Sequence, residues 1–203
     1  MKQNYYMKES YKARNEYIHY DDRAEEDDWQ LEIYLHALGL MKKHGFSRVA
    51  DIGCGSAYKL ITYLGEYETV GLELAENLTF LQEKYPNNIW LESNFDLNSK
   101  LDVDVLICSD VVEHIVNPDE LIEYIKRISF KYLVISTPER DLVYPKDSEY
   151  LNGPPRNKAH QREWNYEEFK NYIASHFDVL DQRVTNLHQA TQMIICSKKE
   201  NDE

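Results

Sequence analysis

Short apolar, β-rich runs alternate with helix-patterned stretches along most of this chain, and that alternation limits the fold more than any other feature. "SRVADI", "ETVGLEL", "NIWLES", "VDVLICS" and "KYLVISTP" read as strands. Between them lie "YKLITYL", ended by Gly65, and "LTFLQEKY", which Asn77 can cap and Pro86 closes. "NPDELIEYIKRIS" starts with a proline and acids and ends with Lys126 and Arg127, the polarity a helix favours. Continuous apolar strands separated by helices predict an α/β chain with a mostly parallel sheet covered on both faces. Trp29, Ile33, Leu35, Leu38, Leu40 and Met41 approximate helical spacing ahead of the first strand, with His44-Gly45 as a stop. Asn165 and Glu168 predict a capping box for "YEEFKNYIASHF". "DVLDQRVTN" and "TQMIICSKK", joined by "LHQA", predict a closing antiparallel hairpin. In such folds ligands sit at the carboxyl ends of the strands, near the switch point.

A chain of 203 residues is long enough for one domain burying roughly 70 % of its unfolded surface. Its net charge of −13 argues against holding nucleic acid by bulk electrostatics and favours a small-molecule partner. Cys54, Cys108 and Cys196 are odd in number and far apart, as reduced thiols of a cytoplasmic protein would be. No window approaches ~18 consecutive apolar residues, so no membrane span is expected. The N-terminus has no apolar core, which excludes a secretory signal reading. The sequence leaves the oligomeric state open, a homodimer included.

"VADIGCGSAYKL" carries the first specific chemistry. Gly53 and Gly55 permit a sharp turn and close approach of a ligand to the backbone. A dinucleotide site would carry a third glycine three residues on, where this chain has Tyr58. Asp51, two residues before the first glycine, offers a phosphate nothing but suits a cation. S-adenosylmethionine has an ammonium, a sulfonium and no phosphate. Glu73, ending "VGLELAE", is placed to accept both ribose hydroxyls, and Asp96 in "SNFDL" could accept from the adenine amino group.

With "VDVLICSDVVEHI", these motifs resemble the class I S-adenosylmethionine-dependent methyltransferases over about residues 29–199. "DVVEHIVNPDELI", "ISTPERD", "NGPP" and "HQREWNYEEF" are similar to the small methyltransferases of bacterial surface-polysaccharide and secondary-metabolite pathways. The resemblance implies a Rossmann-like, seven-stranded sheet with an antiparallel last strand. It also implies that Asp51, Gly53 and Gly55 cradle the methionine part of the cofactor and that Glu73 holds the ribose. Asp96 and Leu97 would hold the adenine, with Ser109 and Asp110 forming the floor beside the sulfonium. In "SAYKL" the chain departs from relatives that carry another glycine after the second.

Methyl transfer needs an acceptor positioned in line with the methyl and, where required, a base. Asp110, Glu113 and His114 share one face if a helical turn starts there, and His160 returns from the excursion at about 138–164. His114, His160 and Glu113 are the candidate catalytic residues. The same side chains with Asp110 are candidate ligands for a divalent metal, a less favoured reading that resembles metal-dependent methylation of RNA 3′-terminal 2′-hydroxyls. A cofactor-binding module without catalysis is the remaining alternative. Arg156 and Arg162 could grip a carboxylate or phosphate on the acceptor. Residues 1–28, rich in tyrosine and charge, are expected to form an arm or lid, ahead of a single domain over 29–203. The expected function is methyl transfer to oxygen or nitrogen of a small polar metabolite, such as a sugar or glycan intermediate.

Overall fold

The computed structural model describes residues 4–18, 20–95 and 100–199. Helix α1 (Leu31–His44) leads into β1 (Arg48–Ile52), α2 (Tyr58–Leu64), β2 (Glu68–Glu73), α3 (Ala75–Lys84) and β3 (Ile89–Glu92). The chain continues through β4 (Val105–Ser109), α4 (Pro118–Arg127) and β5 (Tyr132–Pro138). A short α5 (Arg140–Val143), α6 (Tyr166–His176), β6 (Asp178–Asn186) and β7 (Thr191–Ser197) complete it. The seven strands form one sheet in the order β3-β2-β1-β4-β5-β7-β6. Strands β1 to β5 pair in parallel, and β7 lies antiparallel between β5 and β6. Strand order reverses between β1 and β4, so the crevice for a ligand opens at their carboxyl ends.

The sheet is buried on both faces, as its continuous apolar strands require. On one side Ile33, Met41, Leu60, Leu64 and Leu81 of α1, α2 and α3 pack against Val49, Val105 and Val134. On the other, Leu121, Ile122 and Ile125 of α4 and Phe169, Tyr172 and Ile173 of α6 pack with Trp164 against Leu106, Leu133 and Ile135. All three cysteines are free and buried.

Local chemistry sets the helix ends. Asn165 accepts the Glu168 N–H and the Glu168 side chain accepts the Asn165 N–H, completing the expected capping box. Pro118 opens α4 ahead of two acids. One cap differs from expectation: α3 begins at Ala75, so Asn77 lies buried inside the helix and caps nothing. The reason is the abrupt exit from β2, where the Glu73 carboxylate already accepts the Leu74 N–H at 2.7 Å.

The N-terminal segment divides in two. Residues 4–16 dock on the wall formed by 139–165. Met7 and Tyr11 are buried in the core, and the Tyr11 hydroxyl accepts the Glu163 N–H at 3.0 Å. Trp164 donates its indole N–H to Tyr5 O, and Arg14 N–H donates to Gln161 O. Tyr17, Ile18, Tyr20, Asp22, Glu25, Trp29 and Gln30 instead line the crevice at the carboxyl ends of the strands.

Candidate active site

A cavity of about 850 Å³ opens at the switch point. The glycine turn, the ends of β2 and β4, the 110–117 loop, His160 and residues Tyr17, Ile18, Tyr20, Asp22, Glu25, Trp29 and Gln30 line it.

At the glycine turn both Gly53 (φ 68°) and Gly55 (φ 54°) are left-handed. A Cβ on Gly53 would stand 2.6 Å from Val111 Cγ2, and one on Gly55 would collide with the Asp22 carboxylate. Gly55 is therefore required by a carboxylate of the N-terminal segment. Ala57 is left-handed too (φ 55°), at the point where the sequence departs from glycine. Gly55 N–H donates to Glu73 Oε2 at 2.9 Å, so one Glu73 oxygen braces the turn while the other accepts the Leu74 N–H.

Asp51 is fully buried just behind the cavity wall. One oxygen accepts the Tyr34 hydroxyl at 2.9 Å and the other has no partner. Burial pushes its carboxyl up to about 7. Asp22, beside it, is pushed up to about 6 by burial and then by Glu73. Lys59 pulls both carboxyls down, but burial outweighs it.

Ser109 and Asp110 form the floor. The Ser109 and Ser136 hydroxyls lie 3.1 Å apart, and Ser136 also donates to Asp110 Oδ1 at 2.6 Å. Asp110 is left-handed (φ 51°), which turns the chain into a 3-10 turn, Val112–His114. Glu113 is fully buried, with Thr137 donating to Oε2 at 3.1 Å and Oε1 without a partner. Burial and then Asp110 hold its carboxyl well above the usual range. His114 and His160 meet edge-to-face with ring centres 4.7 Å apart. Burial and then His160 push His114 down to about 3, so its imidazole is neutral. Asn157 Nδ2 lies 2.9 Å from His160 Nε2, and Glu163 Oε1 lies 2.6 Å from His160 Nδ1. Because the Asn157 amide nitrogen can only donate, Nε2 accepts and Nδ1 carries the hydrogen given to Glu163.

The structure thus brings together Gly53, Glu73, Ser109, Asp110, Glu113, His114 and His160 around one cavity. Ligand atoms of Glu113, His114 and His160 lie within 4.8 Å of one another, a set that excludes Asp110. Asp96 and Leu97 lie outside the described residues. Two expectations are corrected. Arg162 is buried, donates to Ile115 O at 2.8 Å and Val116 O at 2.7 Å, and sits over the Tyr5 and Trp164 rings. Its guanidinium fixes the 115–116 backbone and does not reach the cavity. Arg156 is exposed and lies outside the cavity lining. Sequence reasoning missed Asp22, Tyr34, Asn157 and Glu163. The spacing Asn157-x-x-His160-x-x-Glu163 was the available signal for the last two.

A family model described as a methyltransferase domain matches residues 23–188. The chain belongs to this methyltransferase family. Solved structures show the same fold. The methyltransferase domain of bacterial CtHen1-CN shares 16% identity over 83% of this chain and 98% of its own, with a TM-score of 0.62. An S-adenosylmethionine-dependent methyltransferase from Clostridium acetobutylicum shares 14% over 87% and 94%, with a TM-score of 0.62. The 1,6-didemethyltoxoflavin-N1-methyltransferase of Burkholderia thailandensis, with S-adenosylhomocysteine bound, shares 20% over 86% and 82%, with a TM-score of 0.60. No curated protein matches the chain.

The cofactor of this methyltransferase is S-adenosylmethionine. The residues present fit it. The unpartnered oxygen of Asp51 and the raised acids suit a cationic, phosphate-free nucleoside. When bound, the cofactor supplies an electrophilic methyl group on its sulfonium. Among the described residues no helix is long and apolar enough to cross a membrane.

Proposed function

We propose that this methyltransferase acts on oxygen or nitrogen of a small polar metabolite in the cytoplasm, with sugar or glycan intermediates as the acceptor class. The carrying observation is the His114–His160–Glu113 cluster in the same cavity that the glycine turn lines. Asp51, Gly53, Gly55 and Glu73 would hold the cofactor, and Ser109 and Asp110 would face its methyl. His114 Nδ1 has no hydrogen-bond partner and its imidazole is neutral, which suits the ring to accept a proton or orient the acceptor. Asn157 and Glu163 fix His160 in one tautomer. Tyr17 and Tyr20 would cover the bound cofactor as a lid.

Calorimetry with S-adenosylhomocysteine, followed by transfer of labelled methyl from the cofactor to fractionated cell metabolites, tests the proposal. Stoichiometric uptake and label in small polar fractions are expected. His114→Ala is expected to lower kcat by about 10²-fold with the cofactor Kd nearly unchanged. No uptake of S-adenosylhomocysteine would overturn it. Activity that persists in chelator separates it from metal-assisted RNA methylation, which the clustering of Glu113, His114 and His160 would otherwise favour.

A further inference from the structure

We propose that Lys59 takes the carboxylate of the cofactor's methionine part, and that this contact lets the protein tell S-adenosylmethionine from its decarboxylated form. This rests on the reading above that Asp51, Gly53 and Gly55 hold the cofactor.

Lys59 lies in α2, a few residues after the glycine turn, and is the one lysine or arginine among the described residues that line the cavity. Its side chain is 12% exposed, and Nζ stands 5.9 Å from the centre of the Tyr34 ring. The Tyr34 hydroxyl in turn donates to Asp51, and the Asp22 carboxylate approaches the same turn at Gly55. Burial raises the carboxyls of Asp22, Asp51 and Asp110, and Lys59 is among the neighbours that pull each of them down. The lysine therefore stands among several acids and belongs to none of them.

A second observation concerns the donors of its ammonium. Asp27, its ion-pair partner, is exposed and stands 3.8 Å away, outside hydrogen-bonding range. Among the described residues no acceptor lies closer. An ammonium carries three donors, and covering it without an acceptor costs free energy. The face of Tyr34 offsets part of that cost by attraction to the charge, but it satisfies no hydrogen bond in full. The arrangement suits an anion that arrives with the ligand.

The cofactor brings one anionic group. Its carboxylate and its ammonium sit on the same carbon, so a place for one must adjoin a place for the other. Asp51 has an oxygen without a partner, suited to the ammonium, and the Tyr34 ring touches both Asp51 and Lys59. Adenine, ribose and sulfonium carry no negative charge. The single lysine of an acid-rich cavity thus matches the single anionic group of a ligand that is otherwise cationic.

Calorimetry on the full chain with S-adenosylmethionine and with its decarboxylated form, which keeps adenosine, sulfonium and amine, isolates the carboxylate. S-adenosylmethionine is expected to bind at least tenfold more tightly. Lys59→Met removes the charge and keeps an apolar stem. It is expected to weaken S-adenosylmethionine at least tenfold, while the decarboxylated form stays within about threefold or tightens. That second value also reports that the variant is folded. Loss of a positive charge would by itself favour a ligand of net positive charge, so weaker binding of S-adenosylmethionine marks a lost contact. A preference that survives Lys59→Met, or an equal loss for both ligands, would overturn the inference and leave Lys59 a counter-ion for the acids. Equal affinity of the unaltered protein for the two ligands would overturn it as well. Failure of the unaltered protein to bind either would instead sink the cofactor site itself.

Discussion

Residues 4–16 and residues 17–30 are adjacent in sequence and both carry tyrosines, but the first has a net charge of +1 and the second of −5, and their described side chains face different partners. The first stretch packs Met7 and Tyr11 into the core and exchanges backbone hydrogen bonds with residues 152 and 161. The second lays Tyr17, Tyr20, Asp22 and Glu25 along the cavity. One is a fixed wall that supports the Gln161–Trp164 strip; the other is a polar cover whose Asp22 presses on Gly55. Of the described residues in the expected arm or lid, Tyr17, Ile18, Tyr20, Asp22 and Glu25 line the cavity, whereas Met7 and Tyr11 are buried in the core. Tyrosine serves both halves for different reasons. A buried ring contributes area, whereas a ring at a cavity mouth offers an apolar face with a wet hydroxyl.

Three substitutions test this division, the largest effect first. Tyr11→Ala removes a buried ring and the acceptor for Glu163 N–H, at a cost of about 3 kcal/mol or more. The melting temperature is expected to fall by roughly 6–12 °C, with the affinity for S-adenosylhomocysteine within about threefold. A large affinity loss with no change in melting would reverse the roles assigned to the two halves.

Gly55→Ala places a Cβ at positive φ against the Asp22 carboxylate. A cost of about 1–3 kcal/mol is expected. Cofactor affinity should fall at least tenfold, and limited proteolysis should become faster within 17–30 while 4–16 stays protected. Equal protection of both halves would show that Asp22 does not press on the turn.

Asp22→Asn should have the smallest effect, and its sign is fixed. The folded protein raises this carboxyl from its ordinary value of 3.8 to about 6, so it prefers the protonated form. Its favourable contribution is present below about pH 4 and is lost as pH rises through 6. Asparagine cannot lose a proton. The stability difference between variant and parent, from urea melts without cofactor, should therefore grow in the variant's favour from pH 4 to 6 and stay level above. Burial of His114 acts with the opposite sign over pH 3–6.5, but it cancels in the difference. A difference that does not change with pH would place Asp22 in solvent.

The alternation of strands and helices, the glycine turn and the acids Asp51, Glu73 and Asp110 were legible because each depends on neighbours in sequence. Strand period, helix caps and a carboxylate two residues before a glycine are local facts. The sequence also set the capping box at Asn165 and the order of motifs along the strand ends. Tertiary structure decided what chain neighbours cannot. Whether Arg162 faces a substrate or two carbonyls of the 115–116 loop, and whether Glu163 is solvated or bonded to His160 and Tyr11, depends on how separate segments pack together. A charged side chain has similar propensities in both settings, so only the surrounding dielectric and its partners reveal its task. Asp22 illustrates the same limit: a residue in an acidic, tyrosine-rich arm reaches the glycine turn only after the sheet has set where that turn lies.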